Sequence, residues 1–287
     1  MATMPLMPAA FLGHGSPMNA IERNRFTEAW RTFGASVPRP RAILAVSAHW
    51  YVNATAVTAM PRPRTIHDFH GFPRPLFEVD YPAPGLPELA EEVADVAKPD
   101  FVGSDHDGWG LDHGTWSVLV HAFPDADIPV VQLSINAQKP PEWHVRMGVR
   151  LAALRERGVL VLGSGNVVHN LRAMDWKQPD TAFDWNTRFD AHVKQLLAER
   201  AGDAAGLVSH RDYALSAPTA EHFLPLLYLA GIAAAAGKGA DVLVEGPAYG
   251  SLSMTSYTVG AQCPRQDQAG EGAAAPSSVV PADASNL

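Results

Sequence analysis

Histidine is the residue type in this sequence with the clearest capacity for chemistry. The 287-residue chain contains 12 histidines, and several of them lie beside Gly, Ser, Asp or Asn. Imidazole titrates near neutral pH and is the commonest side-chain ligand for metals. In FLGHGSP, the glycines flanking His14 predict a tight turn and a close approach of the backbone to a ligand. We therefore take the histidines as candidates for a metal or acid–base site.

Five histidines follow predicted strands or open predicted helices and loops. They lie in FLGHGSP, AILAVSAHW, GWGLDHGTW, GSGNVVHNL and PTAEHFLPLL, as His14, His49, His113, His169 and His222. The intervals of 35, 120 and 53 residues that separate four of them, all but His113, fit no compact zinc-finger pattern. A site built from them must be assembled by the fold. With a single cysteine in the chain, its ligands are nitrogen and oxygen atoms, which suit zinc or iron.

Several of these positions have a second interpretation. Asp112 could orient the ring of His113 or simply cap a turn. The Gly-Ser-Gly-Asn stretch before His169 could instead bind an anion with its backbone amides. Glu221 precedes His222 directly, so either side chain could bind a metal.

Further side chains are candidates for contacts with a substrate. His67 and His70 lie three residues apart in TIHDFHGFP and could line a pocket. Trp50 follows His49, and we expect Trp50 and His70 to bind the substrate. His49 itself could instead be a partly buried surface residue.

The composition excludes several classes of protein. Thirty acidic and 22 basic residues give a formal net charge of −8, and no Lys/Arg cluster predicts binding to nucleic acid or to a membrane. No apolar run approaches the roughly 18–20 residues of a membrane span, and the first residues lack the features of a secretory signal. Cys263 is the only cysteine, which suits a reducing compartment. We expect a soluble, cytoplasmic protein, and the sequence does not predict its oligomeric state.

The elements that position the histidines alternate between strands and helices. Short apolar runs at 9–13, 42–48, 54–60, 128–135, 158–165 and 241–246 are typical of strands buried on both faces. Amphipathic segments lie between them, and one of these begins near Pro218. This alternation predicts a single α/β domain, with a mostly parallel central sheet and helices on both faces. In such sheets ligands bind outside the carboxyl ends of the strands, where these histidines fall.

We expect one catalytic domain over residues 1–261. Residues 262–287 read QCPRQDQAGEGAAAPSSVVPADASNL, with few large apolar side chains. Such a segment cannot bury enough surface to offset the entropy of ordering, so we predict a disordered C-terminal tail.

Seven motifs in order carry a resemblance to a known family. They are FLGHGSPMNAI, ILAVSAHWY, TIHDFHGFP, LDHGTWSVL, LGSGNVVHNL, PTAEHFLPLLYLAG and GSLSMTSY. From about residue 10 to residue 260 the chain resembles the 4,5-DOPA extradiol dioxygenase family. These are class III extradiol ring-cleavage dioxygenases, related to the catalytic subunit of protocatechuate 4,5-dioxygenase.

The resemblance implies an enzyme that inserts O₂ into a catechol, DOPA-like or otherwise substituted, and gives a semialdehyde. It implies one divalent metal on His14, His49 and His222 with His169 at or near it, as Fe(II) for ring cleavage or Zn(II) as isolated. Because protocatechuate-type relatives use two histidines and a glutamate, Glu221 is the alternative third ligand. His169 corresponds to the acid–base histidine, and His113 to a second catalytic histidine that faces substrate and oxygen.

Other functions remain open at this point. A histidine-bound zinc could activate water for hydrolysis of an amide or ester. The GHGS turn also occurs in tetrapyrrole chelatases, although the other histidine motifs are not needed there. A non-catalytic metal-binding module is a further alternative.

Overall fold

The apolar runs form the strands of a central sheet. The computed structural model describes residues 6–263 and 270–275. Its strands are β1 (Ala9–Gly13), β2 (Ala42–Val52), β3 (Ala56–Thr58), β4 (Gly103–Asp105), β5 (Val130–Asn136), β6 (Val159–Gly165), β7 (Asp241–Val244), β8 (Pro247–Ala248), β9 (Leu252–Ser253) and β10 (Ser256–Val259).

Eight of these strands form one sheet in the order β4-β3-β5-β2-β6-β1-β10-β7, while β8 and β9 pair separately. The central four strands, β5, β2, β6 and β1, are all parallel to one another, and β3 is parallel to β4. The β3–β5, β1–β10 and β10–β7 pairs are antiparallel. The carboxyl ends of β1, β2 and β6 therefore meet at one edge of the sheet.

Helices cover both faces. They are α1 (Arg25–Ser36), α2 (Arg74–Phe77), α3 (Pro87–Val96), α4 (His113–Ala122), α5 (Pro141–Leu151), α6 (Asp184–Arg200), α7 (Tyr213–Ser216) and α8 (Leu224–Ala235), with 3₁₀ turns at 17–20, 152–157, 171–173 and 201–209. None of the helices in the described ranges is long and apolar enough to cross a membrane.

Alternate residues of the buried strands enter two separate cores. In β1, Phe11 packs into the core beneath α3, α5, α6 and α8, while Leu12 packs into the core beneath α1 and α4. In β2, Val46 packs into the same core as Phe11, and Ala45 packs into the same core as Leu12. Because side chains of a strand point alternately to its two faces, consecutive apolar residues need a covering layer on each side. The predicted α/β architecture is confirmed.

Two predicted elements differ from the structure near the candidate site. The last long helix begins at Leu224 rather than near Pro218, and His222 lies in the turn before it. Pro225 lies in the first turn of α8, where a backbone N–H has no acceptor within the helix. Proline therefore costs no hydrogen bond at this position and suits a helix start. His113 lies at the first position of α4 rather than in a loop.

The predicted tail is only partly described. Residues 264–269 and 276–287 lie outside the described residues, so disorder there stays a prediction. Residues 270–275 differ from that prediction, because Ala273 and Ala274 are 7% and 4% exposed and pack against the body of the domain. Small side chains and backbone hydrogen bonds hold this stretch in place. The prediction of disorder considered only large apolar side chains and therefore did not account for such contacts.

Candidate metal centre

Five buried histidines converge at the carboxyl edge of the parallel strands. Their exposed fractions run from 1% to 9%. They come from five different places in the chain: the residue after β1, the end of β2, the start of α4, the loop after β6 and the turn before α8. These are His14, His49, His113, His169 and His222.

An irregularity in β2 brings His49 into the site. Between Val46 and Tyr51, β2 advances five residues while its partner β5 advances two, from Leu133 to Ile135. The extra residues of β2 do not pair with β5, so the ladder of hydrogen bonds between the two strands is interrupted there, as in a β-bulge. His49 lies within this stretch and so projects where a regular strand would not place it.

The turn after β1 is equally constrained. Gly15 has φ +60°, and a Cβ there would overlap the sulfur of Met254. Only glycine adopts this conformation at low cost in so close a contact. The glycine predicted to allow close approach therefore lets the His14 loop pack against the chain that leads into β10.

The ring nitrogens face one another closely. Nε2 of His14 lies 3.2 Å from Nε2 of His49. One ligand atom each from His14, His49 and His113 lie within 4.8 Å of one another. The ring of His222 is centred 5.3 Å from that of His14 and 5.1 Å from that of His49. The nitrogens of His14, His49 and His113 thus lie close enough together to bind one metal ion, and the ring of His222 adjoins them.

Hydrogen bonds to the second ring nitrogen set the tautomers of two histidines. Nδ1 of His14 lies 3.0 Å from Oγ of Ser164, whose own hydroxyl donates to the carbonyl of Gly114. Nδ1 of His222 lies 3.2 Å from Oε1 of Glu221. Because both oxygens accept, each Nδ1 carries the proton and each Nε2 keeps a free lone pair.

Glu221 has partners of its own. Its Oε1 accepts from Thr219 at 2.7 Å as well as from His222. Burial would raise the pKa of Glu221, but the hydrogen bonds from His222 and Thr219 lower it, so the carboxylate is ionised. Its charge orients and polarises the imidazole of His222.

Asp68 is a central residue that the sequence reasoning did not select. Its two oxygens lie 3.0 Å from Nδ1 of His113 and 3.4 Å from Nδ1 of His49, and Oδ1 also accepts from the backbone N–H of His113. The two ring contacts are ion-pair distances rather than aligned hydrogen bonds. Burial opposes its ionisation, yet His113 and His49 hold the pKa of Asp68 below its usual range. In the motif TIHDFHGFP this carboxylate lies between two histidines, and that pattern is the signal from which Asp68 could have been predicted.

Asp112 serves as a helix cap. Its Oδ1 accepts from the N–H of Thr115, so it caps α4, and its other oxygen accepts from Gln132. Burial and the charge of Asp68 raise the pKa of Asp112 to about 6. Of the two interpretations left open, capping is the one observed, while Asp68 lies against the ring of His113.

Burial favours the neutral form of three of these histidines. Burial and then the charges of neighbouring histidines hold the pKa of His14 well below its ordinary value, and burial followed by His222 does the same for His169. The pKa of His49 is lowered by burial and His113, against an opposing effect of Asp68. Neutral imidazole is the form that binds metals and accepts protons.

His169 stacks on His222, with ring centroids 3.6 Å apart and planes 6° from parallel. Its backbone N–H donates to the carbonyl of Ser216 at 2.7 Å, and it forms a bridge with Leu252. The ring of His169 therefore adjoins the cluster through His222. In the preceding loop, the amide of Asn166 donates to the carbonyl of His222, so this amide is not available to bind an anion.

The predicted substrate contacts lie further out. His70 is exposed. Trp50 is buried and its ring stacks on Trp109, 5.8 Å away and 4° from parallel. His67 packs on Phe69 and Trp116. Roles for these side chains in substrate binding stay predictions.

Comparisons with known proteins bear on what this centre does. The family described as the catalytic LigB subunit of aromatic ring-opening dioxygenase matches residues 5–260. A protein of Escherichia coli K12 named 4,5-DOPA dioxygenase extradiol is 49% identical over 261 residues, which cover 88% of this chain and 95% of that protein. A protein of the same name from Beta vulgaris is 35% identical, over 86% of this chain and 94% of that protein.

A solved structure agrees with the fold. The crystal structure of an uncharacterized protein from Escherichia coli K12 superposes with a TM-score of 0.78 at 44% identity, and the match covers 88% of this chain and all of that one. With these matches the resemblance carried by the seven motifs is confirmed. The chain belongs to the family of the catalytic LigB subunit of aromatic ring-opening dioxygenases.

Proposed function

We propose that this enzyme binds one divalent metal through His14, His49 and His222 and opens the ring of a catechol beside its two hydroxyls. The observation that carries the proposal is the cluster of buried imidazoles at the carboxyl edge of the sheet, in a member of a ring-opening dioxygenase family. Both atoms of O₂ enter the product, one in the new aldehyde and one in the new carboxylate.

The donor set fits a catalytic metal of the zinc or iron type. Three imidazoles leave coordination positions open, whereas a structural site is closed by four protein ligands. The fixed Nδ1 protons of His14 and His222 support these two as ligands through Nε2. Glu221, the alternative, already accepts two hydrogen bonds.

His113 is the competing third ligand, because its nitrogen is grouped with those of His14 and His49. We favour His222 because the carboxylate of Glu221 holds its Nδ1 in a hydrogen bond, whereas Asp68 lies out of line with the ring of His113. His113→Ala and His222→Ala distinguish the two assignments. Loss of metal from His222→Ala, with retention in His113→Ala, is the expected result.

The metal, when bound, supplies open positions for the catechol oxygens and for O₂ and neutralises their charge. His169 is neutral and buried against His222, so it can take a proton from a catechol hydroxyl and return it later. His113, whose ring centroid lies 3.8 Å from that of His49, would donate to negative charge that develops on oxygen. All five histidines are buried, so their contact with bulk water is limited.

We infer Fe(II) for ring cleavage, with Zn(II) as a form that the same nitrogens hold. The names of the relatives from Escherichia coli and Beta vulgaris support a DOPA-like catechol as substrate. The partners are then a small aromatic molecule and O₂. The single cysteine supports a location in the reducing cytoplasm.

An oxygen electrode tests the reaction. Protein reconstituted with Fe(II) is mixed with a panel of catechols that includes DOPA, beside a Zn(II) control. Oxygen uptake with iron alone, together with a yellow product, is expected. Absence of uptake with every catechol would contradict the proposal, and hydrolysis of an amide or ester by the zinc form would replace it.

The role of His169 has its own test. His169→Ala is expected to keep its metal and to lose at least about 100-fold in turnover, the lower range for an acid–base group. His106→Ala, at an exposed histidine, is the matched control and is expected to turn over normally. Near-normal turnover in His169→Ala would remove it from the acid–base role.

A further inference from the structure

Residues 270–275 lie outside the span that matches the family, yet they contact the loop that carries His14. We propose that this C-terminal segment, acting through Asn19, positions His14 for metal binding. The inference rests on the proposed role of His14 as a ligand. It makes Asn19 a positioning residue and the segment a working part of this enzyme.

Backbone groups of the segment are fixed at several points. The hydroxyl of Ser16, two residues after His14, donates to the carbonyl of Ala275 at 3.0 Å. The hydroxyl of Tyr249 donates to the carbonyl of Ala273 at 3.4 Å. At the other end, the N–H of Arg25 donates to the carbonyl of Glu271 at 3.2 Å. The segment is thus attached to both the metal-site loop and the start of α1.

Asn19 connects the segment to His14. Its side chain is fully buried, and its Oδ1 accepts from the N–H of Ala274 at 3.0 Å and from Nδ2 of Asn24 at 2.8 Å. Two donors on the oxygen fix the orientation of the amide, so Nδ2 points the other way and donates to the carbonyl of His14 at 2.9 Å.

The backbone of Asn19 is fixed as well. Its carbonyl lies 2.7 Å from Nε2 of His121 on α4, and its N–H donates to the carbonyl of Ser16. Asn19 is therefore a rigid link rather than a mobile side chain. The two hydrogen bonds that its side chain makes with His14 and Ala274 are the ones on which the positioning of His14 depends.

His14 is consequently held from two sides. Ser164 binds the ring at Nδ1, and Asn19 binds the carbonyl of the same residue. Loss of the Ala274 N–H leaves the buried Oδ1 with one donor, which weakens the orientation of the amide and loosens the His14 carbonyl. Supporting partners of a ligand change metal affinity by about 10–100-fold when they are removed.

The test compares two alanine-to-proline variants. Ala274→Pro removes the N–H that Asn19 accepts, whereas Ala275→Pro removes an N–H with no acceptor among residues 6–263 and 270–275. The affinity of each full-length variant for Zn(II) is measured by competition with a chelator, and the melting temperature is measured without metal. We expect Ala274→Pro to bind Zn(II) about 10-fold more weakly and Ala275→Pro to bind as the parent does.

Two further variants keep the test decisive if Ala274→Pro does not fold. A chain that ends at Cys263 removes the whole segment and is expected to show at least the same loss. Tyr249→Phe removes one hydroxyl donor to the segment and is expected to show a smaller loss. A merely structural role would lower the melting temperature and leave the Zn(II) affinity unchanged, which would overturn the proposal, as would equal losses in both proline variants.

His14→Ala separates this inference from the proposed function. Unchanged Zn(II) affinity in His14→Ala would reject His14 as a ligand, whatever the segment does. Loss of Zn(II) in His14→Ala, with parental affinity in Ala274→Pro and in the truncated chain, would reject the positioning role alone.

Discussion

At the scale of single residues, the second nitrogen of each imidazole determines what the first can do. Ser164 and Glu221 each accept a hydrogen bond from the Nδ1–H of a ring and leave the opposite nitrogen free. Asp68 lies between the rings of His49 and His113 and joins a proposed ligand to a proposed proton donor. These oxygens orient the imidazole rings without the help of a bound metal.

Ser164→Ala is expected to weaken metal binding by about 10-fold, because Nδ1 of His14 loses its acceptor and the ring its fixed tautomer. Chelator competition with Zn(II) measures the effect. Ser117→Ala is the matched control, since Ser117 is also fully buried and its hydroxyl has no hydrogen-bond partner among the described residues. Equal affinity of the two variants would show that the contact with His14 is not used.

Asp68→Asn is expected to lower kcat/KM by at least about 10-fold, because a neutral amide lacks the negative charge that orients and polarises the rings of His113 and His49. Steady-state kinetics of the iron form measures it, with metal content determined in parallel. Asp80→Asn removes an exposed carboxylate from the same stretch of chain and is expected to be neutral. Parental kinetics in Asp68→Asn would contradict the assigned role.

At the scale of elements, close approaches bring the histidines together. The start of α4 lies directly against the irregular end of β2, where a Cβ on Gly114 would overlap Oγ of Ser47 and lie 2.7 Å from Cδ2 of His49. The chain can thus place His113 and His49 with ring centroids 3.8 Å apart. Glycine at this contact is a requirement of packing rather than of backbone conformation.

Gly114→Ala is expected to destabilise the fold by about 1–3 kcal/mol, as overpacking of a filled interior does, and to reduce metal affinity by displacing His49. Chemical denaturation and Zn(II) competition measure the two effects. Gly206→Ala is the control, because a Cβ there meets nothing within 4 Å. Similar stability of the two variants would contradict the close contact between α4 and β2.

At the scale of the whole molecule, buried neutral histidines tie stability to pH. His14, His49 and His169 share this property with His144, which joins α5 to α8 through a 3.0 Å contact between its Nδ1 and the hydroxyl of Tyr228. Burial lowers the pKa of His144 to about 4. Unfolding releases each of these rings to water, where they bind protons near pH 6.5.

Stability is therefore expected to be complete above pH 6.5 and to fall as the pH drops toward 4, because the unfolded chain then binds more protons than the folded one. His144 accounts for up to about 3 kcal/mol of that fall. Urea denaturation of the metal-free protein at several pH values measures it. His144→Leu is expected to show a shallower decline between pH 6.5 and 4, and an unchanged slope would contradict the neutral, buried state of this ring.

Much of the architecture follows from local pattern. Consecutive apolar residues in β1, β2, β5 and β6 indicate strands buried on both faces, and the structure has them at the centre of the sheet. The helix α4 was not predicted, because HGTWSVLVHA is buried almost all round and has no polar face to reveal a helical period. The start of α8 was placed too early because Pro218 and Pro225 are both acceptable helix starts by sequence.

The sequence by itself determined which residues are candidates for the chemistry. Five histidines stand out by their type and by their positions after strands, and the ordered motifs indicate the family. Only the tertiary structure decided how they are connected: that Asp68 lies between His49 and His113, and that Glu221 accepts a hydrogen bond from His222. Residues far apart in the chain, such as Asn19 and Ala274, meet only once the fold has closed. Local patterns report which face of an element is buried, whereas contacts between elements depend on bulges, turns and close packing that no short stretch of sequence specifies.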